Sequence, residues 1–72
     1  MFEEVLARFE KKISSAIIDM DYDKALNWID ATTEFIIISF EFDTITFDDS
    51  LKLMNKFSGL VRKINNIKER EG

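Results

Sequence analysis

Apolar residues recur at three- and four-residue steps in three separate stretches of the chain, the period of amphipathic helices. Phe2, Val5, Leu6, Phe9, Ile13, Ala16, Ile17 and Met20 fall on one stripe and predict a helix over about 2–19. A second helical pattern starts at Tyr22 and continues through Phe40, predicting a helix over about 22–41. Leu53, Met54, Phe57, Leu60, Val61, Ile64 and Ile67 form a third arc, roughly 140° wide, within a helix over about 47–70.

Helix starts are written in side chains that accept hydrogen bonds from free backbone N–H groups. Asp21 is placed to cap the second helix, and its carboxylate also suits the positive end of the dipole. Thr46 precedes Phe47-Asp48-Asp49, a Thr-x-x-Asp variant of the capping box. The connection around Asp19–Asp21 is very short, so the first two helices are expected to be antiparallel neighbours. The fold class is therefore all-α: a compact three-helix bundle, an antiparallel hairpin plus a third helix, forming one domain over 1–72.

Residues 35–47 also have features of a strand. Phe35-Ile36-Ile37-Ile38 is rich in β-branched residues, and apolar and polar residues alternate from Ser39 to Phe47. A lone two-stranded hairpin is marginal in water. Helix is thus expected up to Phe40, with an extended loop from Phe42 to Ile45.

On a helical wheel the second helix has two apolar sides. Tyr22, Leu26, Ile29, Thr33, Ile36, Ile37 and Phe40 form the expected core face. Trp28, Phe35 and Phe42 repeat every seven residues on nearly the opposite side, joined by Ala31 and Ile38. Asp23, Asp30, Glu34 and Glu41 make a narrow acidic strip on one edge, and Ala25, Thr32 and Ser39 bridge the other. The non-acidic arc spans on the order of 260°, against roughly 100–140° for an ordinary surface helix. Either the first and third helices enclose both sides, or the row Trp28, Ala31, Phe35, Ile38 and Phe42 binds a partner. The second alternative is expected, with a two-fold dimer as the first candidate.

Composition narrows the chemistry. The chain has neither cysteine nor histidine, so disulfides, thiolate metal sites and imidazole bases are excluded. Ser14, Ser15, Ser39, Ser50 and Ser58 have no base to activate them. No catalytic residue, resident metal, cofactor or small-molecule substrate is expected. A domain of 72 residues buries only about 60% of its extended-chain surface, and oligomerisation is the remaining common way to reinforce it. The start Met1-Phe2-Glu3-Glu4 lacks the character of a signal peptide, and no apolar run is long enough to span a bilayer. A cytoplasmic protein with no membrane partner is expected.

Charge is unevenly placed. Residues 1–50 carry a net −8 and residues 51–72 a net +4. The two halves can attract within one bundle, or the basic part can meet an anion. Lys52, Lys56, Lys63 and Arg70 form a line on the third helix, opposite its apolar arc. This supports an alternative function, a small nucleic-acid-binding regulator, though no aromatic residue is interleaved and the whole chain is acidic. Gly59 lies in the same polar face, where it either admits a close partner backbone or is tolerated as a bend.

Two windows have local resemblances. Asp19, Asp21, Asp23, Asn27 and Asp30 stand at positions 1, 3, 5, 9 and 12 of a window that resembles an EF-hand loop, which would imply calcium. Lys24 occupies the glycine position, Asp30 replaces the glutamate, and the same residues suit a helix. Tyr22-x-x-Ala25-Leu26 is similar to part of the second helix of a tetratricopeptide repeat, but the rest of that signature is missing. The leading expectation is a non-enzymatic helical interaction module, homodimeric, acting as a small adaptor, assembly factor or inhibitor through the second helix.

Overall fold

The computed structural model describes residues 1–71. Three helices follow in order: α1 over Phe2–Ile18, α2 over Tyr22–Glu41 and α3 over Phe47–Glu71. These agree with the helices read from periodicity to within one residue at each end. The three-helix bundle is therefore the fold, and the strand-like segment 35–41 is helical. No helix among the described residues is long and apolar enough to cross a membrane.

Both expected caps form. The Asp21 carboxylate accepts from the Lys24 backbone N–H at 3.2 Å, and the Thr46 hydroxyl oxygen accepts from the Asp49 N–H at 3.1 Å. The ends of α1 and α2 share a device that composition conceals. Asp21 N–H donates to the Ala16 carbonyl at 2.9 Å and Met20 N–H to Ile17 at 3.0 Å. At the end of α2, Thr44 N–H donates to Ser39 at 2.8 Å and Asp43 N–H to Phe40 at 3.0 Å. Both are Schellman endings, and each puts its residue after the C-cap at positive φ, 59° at Met20 and 58° at Asp43. Residues 42–45 are accordingly a tight turn instead of the expected extended loop.

The ring contacts give the packing directions. Phe2 stacks on Phe35 at 5.1 Å, and Phe9 meets Trp28 edge-on at 6.0 Å, so α1 runs antiparallel to α2. Phe40 contacts Phe47 at 5.8 Å while Lys68 pairs with Asp23, so α3 runs antiparallel to α2 as well. Close backbone approaches join α2 to both neighbours, whereas no Cα atom of α1 comes within 8 Å of one in α3. α2 thus packs closely against both of its neighbours, in a bundle 41 Å long and 19 × 13 Å across.

This arrangement rotates the core face of α2 away from the one read on the wheel. Its buried residues are Ala25, Ile29, Thr32, Ile36 and Ser39, while Ile37 and Phe40, expected in the core, are exposed. Ala25, Thr32 and Ser39, which looked like an edge, lie at the centre. Two helices converging on a third leave a narrow seam, and small side chains at seven-residue intervals let both approach. The Thr32 hydroxyl is fully buried without penalty because it donates to the Trp28 carbonyl at 2.7 Å. Ile13 and Ala16 of α1 and Phe57 and Ile64 of α3 complete the core.

Candidate interaction surface

With α1 on one flank of α2 and α3 on the other, the apolar row assigned to a partner is divided. Trp28 and Phe35 are half-buried in the chain itself, because Phe2 and Phe9 of α1 pack on them. Ala31 is exposed, Ile38 is 49% exposed and Phe42 is 79% exposed. The surplus apolar surface is therefore smaller than the wheel implied, and it lies toward the carboxyl end of α2.

What remains open is a seam along the outer side of the α1/α2 pair. One groove, about 240 Å³ in volume, is lined by Val5, Arg8, Phe9, Lys12 and Trp28. A second, about 320 Å³, is lined by Met1, Phe2, Val5, Phe35, Ser39 and Thr44. Both are lined by Val5 and together make up the α1/α2 trough, while Ile38 and Phe42, exposed on α2, line neither groove. The trough has a cationic end: the Lys12 ammonium lies 5.9 Å from the centre of the Trp28 ring, and Arg8 lines the same groove.

A second group of exposed apolar residues sits where α2 meets α3. Ile37, Phe40, Phe47 and Leu51 are all exposed, the largest being Phe47 at 58%. Reading the wheel assigned Ile37 and Phe40 to the core and left Phe47 in a first turn.

The basic line on α3 is not a continuous free surface. Lys56 pairs with Glu10 of α1 at 2.6 Å, bridging the two helices whose backbones stay apart. Lys52 borders a groove with Phe2, Glu3, Ile45, Asp49 and Leu53. Lys63 and Arg70 are exposed on the same line. Lys68, outside that line, pairs with Asp23 of α2. The uneven charge along the chain is thus used within the bundle at two places, both partly solvated and worth about 0–1 kcal/mol each.

The acidic window Asp19–Asp30 is not a loop. Asp21 caps α2, and Asp23, Asn27 and Asp30 are on that helix. Among the described residues no three acidic side chains converge as a cation site would require. Gly59 continues α3 without a break, and a Cβ built there would meet nothing within 4 Å. Comparison with known protein families, with curated proteins and with solved structures finds no match to this chain.

Proposed function

We propose that this protein is a non-enzymatic helical interaction module that works as a homodimer, serving as a small adaptor, assembly factor or inhibitor. The supporting observation is Phe42, a large ring left 79% exposed on the same heptad row as half-buried Trp28 and Phe35, which line the grooves between α1 and α2. Monomers leave single apolar residues exposed without consequence, but a joined row is characteristic of binding surfaces.

Magnitudes favour modest affinity. Covering the open part of one phenylalanine removes on the order of 150 Å² of apolar surface, roughly 3–4 kcal/mol at about 25 cal/mol per Å². Association costs about 4–15 kcal/mol in lost freedom, so Phe42 alone is insufficient and the whole trough has to be covered. A dissociation constant of about micromolar order is expected.

Light scattering after gel filtration tests this. Wild type at about 100 μM should have the mass of a dimer, and Ile38→Glu/Phe42→Glu that of a folded monomer. Because both side chains are exposed in the single chain, the variant should keep its helicity. A monomeric wild type at that concentration would refute self-association.

A further inference from the structure

Building on the interaction role proposed above, we infer that the occupant of the α1/α2 trough is a second copy of this chain, docked with the two α2 helices antiparallel about a two-fold axis at Phe35. The spacing is what makes the face complementary to itself. Trp28, Phe35 and Phe42 lie seven residues apart, so an axis through the middle ring sets Trp28 opposite the partner's Phe42 at both ends at once. The ring with the most open surface is thereby brought to the groove lined by Val5, Phe9 and Trp28, which has room for a phenyl group.

Charge selects the direction. Lys12 lies over Trp28, and Lys24 precedes Trp28 by one helical turn. Glu41 and Asp43 flank Phe42 at the other end. Arg8, Lys12 and Lys24 outnumber Asp23 and Asp30 at the Trp28 end. Antiparallel docking therefore sets the net cationic end of each copy against the anionic end of the other, whereas parallel docking sets like net charge together. The exposed cluster at the α2/α3 end lacks this property. Beside Ile37, Phe40, Phe47 and Leu51 stand Glu34, Glu41, Asp48 and the single cation Lys52, so the balance between two copies meeting there is anionic. The trough is about two helices wide and, from residue 28 to 42, about 21 Å long. That footprint, on the order of 400 Å² per copy, belongs with weak, transient interfaces.

Charge exchange tests the register. Two double variants of the full chain, Lys12→Glu/Lys24→Glu and Glu41→Lys/Asp43→Asn, change only exposed side chains. The lysine at 41 suits the helix dipole and asparagine tolerates positive φ, so circular dichroism should show both folded. Sedimentation equilibrium should find each variant dimerising at least about tenfold more weakly than wild type. An equimolar mixture should form the heterodimer, seen by native mass spectrometry, with affinity within about threefold of wild type. Variants that dimerise as wild type does, or a mixture that gains nothing over its components, would overturn the antiparallel register while leaving self-association standing. A wild type that never dimerises would overturn both.

Discussion

Met20 and Asp43 hold the same position at the ends of successive helices, yet the residues differ in how well they suit it. A left-handed conformation crowds Cβ against the following carbonyl, at a cost of about 1–2 kcal/mol for most residues, and Asp offsets part of this through local hydrogen bonding. Met20 has no such compensation and leaves 72% of its surface exposed, so its side chain recovers little by packing. Met20→Gly should therefore raise stability by about 1 kcal/mol, or about 4–8 °C in Tm for a domain of this size, measured by thermal melting. A lower Tm would mean that the methionine side chain contributes more than its exposure allows. At this scale the extents of the helices and the caps at their starts were legible, and the motif that closes α1 and α2 was not. Asp21 and Thr46 carry their function in their side chains, whereas a Schellman ending without glycine resides in the backbone alone.

At the scale of elements, α2 was legible in extent but not in rotation. Hydrophobicity ranks Trp28, Phe35, Ile36 and Phe40 above Ala25, Thr32 and Ser39, so a wheel weighted by it places the small residues at an edge. Contact between three helices reverses that order, because the residues nearest two partners have the least room. The seven-residue row of small side chains was the visible signal. It becomes meaningful only when α1 and α3 both pack closely on α2. Thr32 and Ala31 separate the two accounts, being adjacent in sequence but fully buried and exposed respectively. In the Ile38→Glu/Phe42→Glu background, Thr32→Leu should cost about 1–3 kcal/mol by overpacking the seam, while Ala31→Leu should change stability by less than about 0.5 kcal/mol, both read from urea unfolding. Equal effects at the two positions would contradict the placement of the core.

For the whole molecule, the bundle and its short connections were legible because caps, period and length agreed. The candidate surface was legible in part. Phe42 and Ile38 are open, but Phe2 and Phe9 lie 33 and 19 residues along the chain from Phe35 and Trp28 and had no mark assigning them to those rings. Likewise the Lys56–Glu10 bridge joins residues 46 apart, so a line of cations on one helix said nothing about which of them α1 would engage. A bundle in which the most apolar helix packs against both others covers that helix on two flanks and leaves its outer rim to solvent.

If that rim is sealed by a second copy, association and folding are linked, and stability depends on how much protein is present. Thermal unfolding followed by circular dichroism at about 1, 10 and 100 μM measures this directly. The midpoint should climb by several degrees across the series for the natural chain and stay constant for Ile38→Glu/Phe42→Glu. A natural chain that melts at one temperature throughout the hundredfold range would mean its own three helices already satisfy the apolar surface of α2.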